Sequence, residues 1–248
     1  RISGLNVTFW KPGENEPDSS VNGIALGLYG PGAGEVNGVG LGLLSTTAGT
    51  SMNGVMVSGV ATLSEGDLNG VGLSGFATVS RGPMNGIGLS LFATVSRDEM
   101  NGIGIGGLTT VSGSHMWGIN GSLLATMSDG NMDRLQLSGL ATMSEGDMWG
   151  VHASGLATVS GGSMKGINLA GLATMSEGGM WGLNGALLTT ISDQSMYGVN
   201  LSGLATVSGG PMAGINVGGL AVLSGESILG VNAALLAATT GERHPLDY

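Results

Sequence analysis

Cysteine is absent from this sequence, and charged residues are scarce. Without cysteine, the chain can form neither a disulfide framework nor a thiolate metal site. Charged residues make up only 10% of the chain, and the formal net charge is −10. This balance argues against nucleic acid as a partner, and against binding of anionic membranes through a basic patch.

Long apolar runs and helical periods are also missing. No apolar run reaches the ~18 residues that a transmembrane helix needs, and no window shows an amphipathic helical period. Glycine, with 50 copies, is abundant, but it does not occupy every third position as collagen requires. The mean hydropathy of +0.32 is too high for a disordered chain. These features predict an ordered, apolar, glycine-rich β protein.

A sixteen-residue repeat fills almost the whole chain. We predict a single repeat domain over residues 1–248, with irregular repeats at 2–51, regular repeats at 52–243 and a short tail at 244–248. Counted from its opening residue, the repeat carries Gly at position 3, most often Leu at position 9, Thr at position 11 and Ser at position 13. The regular copies open at Met52, Leu68, Met84, Met100, Met116, Met132, Met148, Met164, Met180, Met196, Met212 and Ile228.

The residue at position 8 decides whether each repeat is one long strand or two short ones. β-Branched residues, two-residue alternation and Gly, Asp or Ser between the runs predict strands. Position 8 is usually Gly, as a bend would favour, but it is Leu91, Leu123 or Leu187 in other copies, and Leu tolerates a positive φ badly. Where Leu123 and Leu187 occur, position 6 shrinks to Gly121 and Gly185. This exchange of volume between two residues on one face favours an unbroken strand.

An unbroken strand has the length needed to cross a bilayer. A strand of about thirteen residues, tilted by ~40°, would be roughly 33 Å tall, close to the ~30 Å of a bilayer core. The connections are short and suit hairpins. We therefore predict an all-β, antiparallel up-and-down barrel of the transmembrane type, with about 14–15 strands. Position 2 would supply a membrane girdle of Trp117, Trp149, Trp181 and Tyr197. Odd positions would line the lumen with Leu156, Leu172, Leu188, Leu204, Thr158, Thr174 and Thr206.

A parallel β-solenoid with one repeat per coil is the alternative fold. Identical residues at identical positions are typical of the in-register ladders of a solenoid, whereas a belt of Leu would be unusual in a water-filled pore. The coils would stack ~4.8 Å apart, and the same Leu and Thr ladders would form their core. Uncovered end coils would then require a partner or head-to-tail association.

Two early repeats carry a recognisable motif. Val21–Leu28 (VNGIALGL) and Val36–Leu43 (VNGVGLGL) resemble the "VNG-x-x-LGL" repeats of bacterial envelope proteins identified as surface-repeat proteins. Those repeats often carry Asn in the second half of the unit, where this chain has Ala or Thr. The resemblance implies an exported envelope protein of a Gram-negative bacterium, and it implies no activity.

The remaining motifs predict no cofactor, metal site or catalytic residue. Gly70–Gly75 and Gly102–Gly107 match G-x-G-x-x-G, but a dinucleotide site needs a helix after the glycines, and no helical pattern follows. The acidic turns fit neither of the usual calcium-loop spacings. His115, His152 and His244 lie far apart and at different repeat positions, which argues against a metal site.

These observations predict a non-enzymatic protein of the bacterial outer membrane or cell surface. In the barrel hypothesis it would be a passive pore or a structural subunit of an envelope complex, and the terminal aromatic Tyr248 would fit an outer-membrane assembly signal. In the solenoid hypothesis it would be a spacer, an adhesin or a filament subunit. The expected partners are the lipid bilayer or other envelope proteins, together with self-association.

Overall fold

The computed structural model describes residues 1–9, 18–29 and 32–241. The contacts divide the chain into two compact units, Arg1–Asp129 and Gly130–Tyr248. The tail predicted at 244–248, with His244 and Tyr248, lies outside the described residues.

The first unit consists of β-strands that pair in parallel. Its irregular N-terminal repeats contribute longer strands, and from residue 61 onward long and short strands alternate. The strands are β1 (Ile2–Thr8), β2 (Ser20–Gly27), β3 (Gly32–Gly42), β4 (Ser45–Ser58), β5 (Ala61–Ser64), β6 (Asp67–Ser74), β7 (Ala77–Ser80), β8 (Met84–Ser90), β9 (Ala93–Ser96), β10 (Met100–Gly106), β11 (Thr109–Ser112), β12 (Met116–Ser122) and β13 (Ala125–Ser128).

The second unit continues the same alternation of long and short strands. Each long strand covers positions 1–7 of a repeat, and each short strand covers positions 10–13. The last long strand ends one residue early. The strands are β14 (Met132–Ser138), β15 (Ala141–Ser144), β16 (Met148–Ser154), β17 (Ala157–Ser160), β18 (Met164–Ala170), β19 (Ala173–Ser176), β20 (Met180–Ala186), β21 (Thr189–Ser192), β22 (Met196–Ser202), β23 (Ala205–Ser208), β24 (Met212–Gly218), β25 (Ala221–Ser224), β26 (Ile228–Ala233) and β27 (Ala237–Thr240).

Each repeat is one coil of a parallel β-solenoid. Within the first unit, β8 pairs in parallel with β10, so that Met84 lies beside Met100. Within the second unit, β16 pairs with β18 and β17 pairs with β19, and each residue lies beside the residue sixteen positions later. The backbone ladder continues through the bend between the strands, where Leu172 N donates to Leu156 O at 2.8 Å. The described residues form about 14 such turns.

The prediction of an antiparallel transmembrane barrel is wrong, and the alternative solenoid fold is confirmed. The strand pairs are parallel, and every regular repeat is interrupted at positions 8 and 9. Side chains at position 1, such as Met148 and Met164, are fully buried between the two strands of their coil. The passive-pore hypothesis depended on the barrel, and it is therefore not supported either.

The bend was missed because it does not need a positive φ. The glycines at position 8 are not among the residues with positive φ. A Cβ at Gly107 would nevertheless lie 1.8 Å from the carbonyl oxygen of Leu91, so a copy with Leu at position 8 needs a different local backbone from a copy with Gly. Positive φ is concentrated at position 3, in the middle of the long strand, where Gly150 has a φ of 124°. A Cβ at Gly166 would lie 2.1 Å from the carbonyl oxygen of Gly150. Close stacking of neighbouring coils therefore requires Gly at position 3, and Arg134, with a φ of 82°, is the exception.

Candidate functional site

The interior of each coil is lined by Met, Thr and Ser together with the residue at position 5. Thr158, Thr174 and Thr206 are fully buried, as the solenoid hypothesis predicted for core residues. Their hydroxyl groups are engaged: Thr174 Oγ1 donates to Gly185 O at 2.9 Å, and Ser154 Oγ lies 2.8 Å from Thr158 Oγ1. The first contact joins neighbouring coils and the second joins the two strands of one coil, which is a structural use of the hydroxyl groups.

The predicted Leu ladder lies on the outside of the coils. Leu156, Leu172, Leu188 and Leu204 are 41–43% exposed, so their assignment to a lumen or a core is wrong. The prediction assumed strict alternation from position 9 to position 13. The chain bends at positions 8 and 9, and therefore position 9 points outward while positions 11 and 13 point inward.

Three of the four predicted girdle residues, Trp149, Trp181 and Tyr197, lie in a row with Lys165 on the outer face of the long strands of the second unit. In the second unit, Lys165 Nζ lies 4.7 Å from the ring centroid of Trp149 and 5.1 Å from that of Trp181. Trp181 stacks on Tyr197 with centroids 6.2 Å apart. Trp117 occupies the same position in the first unit and is exposed. The parallel coils remove the basis for a membrane girdle, and in the second unit the rings stabilise one another and the cation between them.

In the first unit, position 2 carries an Asn ladder that sequence reasoning missed. Asn53 Nδ2 donates to Asn37 Oδ1 at 2.7 Å, and Asn69 Nδ2 donates to Asn53 Oδ1 at 2.9 Å. The signal was present in the sequence, since Asn recurs at the same position from Asn22 to Asn101. In-register stacking turns such a recurrence into a chain of hydrogen bonds.

A second Asn ladder runs inside the second unit, at position 5. Asn168, Asn184, Asn200 and Asn216 each donate to the next coil at 2.8–2.9 Å. Before them lies His152, which is fully buried. Burial lowers the pKa of His152 to about 4, partly offset by the backbone carbonyl of Trp149. Neither ring nitrogen of His152 makes a full hydrogen bond to any described residue, so the carbonyl of Trp149 offsets only a small part of the effect of burial.

An apolar surface follows the bend of every coil. We define the bend edge as the outer residues at positions 6, 8 and 9 of successive coils, with the buried or half-buried residue at position 7 between them. Leu at position 8 projects furthest, as at Leu91, Leu123 and Leu187. Where position 8 is Gly, shallow grooves open between the projecting side chains.

Each unit carries such a groove. The groove of the first unit has a volume of about 570 Å³ and is lined by Val57, Leu73, Gly75, Leu89, Leu91 and Ile105, with the intervening serines. The groove of the second unit has a volume of about 380 Å³ and surrounds Leu187, with Gly185 and Gly203 on its floor. Their walls are aliphatic, so the grooves suit an apolar occupant.

Charged side chains lie away from the bend edge. In the regular coils of the first unit they occupy the turn at positions 14–16, as Glu65, Arg81 and Asp98 do. Glu65 and Arg81 form an exposed ion pair between neighbouring coils. The coil therefore has a polar turn on one side and an apolar bend on the other.

The other predicted motifs form no chemical centre within the described ranges. Gly70–Gly75 begins inside β6 and Gly102–Gly107 begins inside β10, so neither opens a helix. Residues 1–9, 18–29 and 32–241 contain no group of three or more His, Asp or Glu residues placed to hold a metal ion.

No helix in the described part of the chain is long and apolar enough to cross a membrane. No protein-family model matches the sequence, and neither the curated proteins nor the solved structures include a significant match. The resemblance of Val21–Leu28 and Val36–Leu43 to bacterial surface repeats stays a prediction. The structure of the coils alone shows an all-β solenoid with an apolar bend edge.

Proposed function

We propose that this chain is a non-enzymatic structural subunit of a bacterial surface assembly, and that it associates through its bend edge. The observation that carries the proposal is the run of exposed Leu, Ile and Val residues along the bend, uninterrupted by charge. Soluble monomers rarely expose contiguous apolar patches beyond a few hundred Å², and larger ones mark interaction surfaces.

The uniformity of the coils supports a structural role. Leu156, Leu172, Leu188 and Leu204 are equivalent, and in a parallel solenoid equivalent residues recur every ~4.8 Å. A surface of this kind offers many similar contacts along a line. Such a line suits side-by-side association of extended subunits better than recognition of one small molecule.

The bend edge also favours one of the roles that the solenoid hypothesis left open. A spacer that separates two other domains must stay monomeric, and a polar exterior would serve it best. Exposed Leu side chains at positions 8 and 9 would instead promote association. An assembling subunit therefore fits the surface better than a passive spacer.

Protease treatment and cross-linking of intact cells test this proposal. Protease added to cells of the producing bacterium should degrade the protein, and cross-linking before lysis should trap it in species larger than the monomer. Replacing Leu156, Leu172 and Leu204 with Ser should reduce the trapped fraction. Val159→Thr with Val207→Thr, on the outer face of the short strands, should leave it unchanged. A protein that is protected in intact cells, or that cross-links to nothing, would contradict the proposal.

A further inference from the structure

We propose that the first unit pairs side by side with the first unit of a second copy of this chain, in antiparallel orientation, through its bend edge. The surface consists of positions 6–9 in the four coils that open at Leu68, Met84, Met100 and Met116. This inference rests on the proposed function, since it names the partner of the same edge.

Position 8 in these four coils has a self-complementary sequence. It reads Gly75, Leu91, Gly107 and Leu123 along the chain. Leu91 is 70% exposed and Leu123 is 68% exposed, so both side chains project from the edge. A two-fold axis that passes between the coils of Leu91 and Gly107 places Leu91 over the partner's Gly107. The same axis places Leu123 over the partner's Gly75, so each projecting Leu meets a Gly.

The spaces over the glycines match a single Leu side chain. Leu91 and Leu123 lie two coils apart, or ~9.6 Å at a spacing of ~4.8 Å per coil. The space over Gly107, between Leu91 and Leu123, is therefore wide enough for one aliphatic side chain that contacts each neighbouring Leu at ~4 Å. On the other side of Leu91, the groove of about 570 Å³ includes Gly75 and is walled by Leu73 and Leu89.

The edge is preformed and uncharged. Phe76 and Phe92, at position 9, stack with ring centroids 4.3 Å apart, which holds the side of the surface rigid. Positions 6–9 of the four coils carry no charged residue. The acidic residues of these coils lie at the turn instead, so pairing by the bend edges keeps the acidic turns of two copies apart. A chain with a net charge of −10 can therefore pair with itself here.

The relief of the edge favours a second copy over a lipid surface. Fluid acyl chains would cover an even row of Leu as well as an alternating one, and they need no notch. Against a flat surface, the notches between the projecting Leu side chains would stay unfilled and their van der Waals contacts would be lost. A protein surface of complementary shape fills the notches. The same four coils carry both the projecting Leu side chains and the Gly notches that would receive them.

Analytical ultracentrifugation of the full chain in detergent-free buffer tests the pairing. The wild type should sediment as a dimer that dissociates on dilution. Leu91→Gln with Leu123→Gln should weaken the dimer by at least about tenfold, because both projecting side chains become polar. Leu91→Gly with Leu123→Gly should weaken the dimer to a similar extent. Gly is chosen because other copies of the repeat carry it at position 8. Leu63→Gln with Met127→Gln, on the outer face of the short strands, is the matched control and should leave the dimer intact.

Cross-linking of single cysteines tests the register, since the chain has no cysteine of its own. In the proposed register the two copies of residue 91 are offset by one coil, ~4.8 Å, and the two copies of residue 123 by three coils, ~14 Å. A short bismaleimide should therefore join Leu91→Cys chains efficiently and Leu123→Cys chains poorly. Equal cross-linking at both positions would indicate parallel pairing and overturn the proposed register.

Two outcomes would overturn self-pairing without touching the proposed function. One is a wild type that stays monomeric at every concentration while still cross-linking to larger species on intact cells, because the edge would then bind a different protein. The other is a monomer that floats with phosphatidylcholine vesicles and loses this property in the Leu91→Gln, Leu123→Gln variant. That result would assign the edge to lipid. Failure of cross-linking on intact cells would instead contradict the proposed function itself.

Discussion

The inside of each coil is more polar than its bend edge, and this contrast explains the fold. Fully buried Thr, Ser and Asn side chains lie between the strands beside the position-1 Met, while most Leu, Ile and Val side chains lie outside. In-register stacking makes this arrangement stable, because most of the buried polar side chains bond to a side chain or a backbone carbonyl of the same or a neighbouring coil. Asn120 and His152 are exceptions among the described residues. A buried polar group costs free energy only when it lacks a hydrogen-bond partner. The apolar residues are thereby left for the exterior, where they can bind a partner.

Methionine gives the sharpest test of the contrast, because it occurs both inside and outside. Met164→Ala should lower the free energy of unfolding by about 2–5 kcal/mol, since it leaves a cavity in the interior. Met175→Ala, on the outer face of a short strand, should cost less than about 1 kcal/mol. Urea denaturation of the two variants measures the difference. Equal losses would mean that positions 1 and 12 do not lie on opposite sides of the coil.

His152 is the weak point of the polar interior, because it interrupts the Asn ladder. Its pKa falls from 6.5 to about 4 in the folded chain, which corresponds to roughly 3 kcal/mol of stability. Below pH 6.5 the unfolded chain binds a proton that the folded chain does not. The free energy of unfolding should therefore decrease as the pH falls from about 6.5 to about 4, and then level off.

The matched variant for this pH dependence is His152→Asn, which carries the residue of the following coils. Its amide would reach Asn168 Oδ1, which has no partner in the described structure. The wild type should lose stability as the pH falls even above the pH range in which carboxylates titrate, and the variant should not. Identical pH profiles for the two proteins, measured by thermal unfolding, would place His152 in a solvated environment.

Close stacking at position 3 should be as sensitive as the interior. Gly166→Ala should cost about 1–3 kcal/mol from backbone strain at a φ of 117°, and the contact with Gly150 O adds to this. Gly185→Ala is the control on the bend edge. Its Cβ would meet the flexible end of Leu169 at 3.1 Å and Leu201 O at an ordinary 3.8 Å, so the melting temperature of this variant should be close to that of the wild type. A smaller loss at Gly166 than at Gly185 would contradict the assigned role of position 3.

The smallest expected effect tests the polar interior directly. Thr174→Val keeps the shape of the side chain but removes the hydrogen bond from Oγ1 to Gly185 O. It should therefore destabilise the chain by about 1 kcal/mol, even though it makes the interior more apolar. Val159→Thr, on the outer face, should change stability by less than about 0.5 kcal/mol. A gain in stability from Thr174→Val would show that the buried hydroxyl is dispensable.

Much of this architecture follows from the sequence, but the direction of the strands does not. The sixteen-residue period predicted the repeating unit, and the turn at positions 14–16 separates strands as the Gly, Asp and Ser residues indicated. The bend at position 8 was rejected because Leu was assumed to be incompatible with it. The bend has no positive φ and occurs both in copies with Gly and in copies with Leu, although a Cβ at Gly107 would lie 1.8 Å from Leu91 O. The positive φ that favours Gly lies at position 3, where Gly is almost always present.

The candidate site was harder to predict because it depends on the bend. Once positions 8 and 9 turn the chain, Leu156 points outward and Thr158 points inward, although they are only two residues apart. Alternation alone puts them on one face. The exchange of Leu and Gly at position 8 was visible in the sequence, but only the stacked coils show that it produces projections and notches along one edge.

Oxidation of methionine by hydrogen peroxide, followed residue by residue with mass spectrometry, tests the central contrast most directly. Met143 and Met175 are 40% and 41% exposed, whereas Met148, Met164 and Met180 are fully buried. The exposed pair should form sulfoxide at least about tenfold faster than the buried set in the native protein, and all five should react alike in denaturant. Equal rates in the native protein, or faster oxidation of Met148, Met164 and Met180, would contradict a solenoid with position 1 inside and position 12 outside.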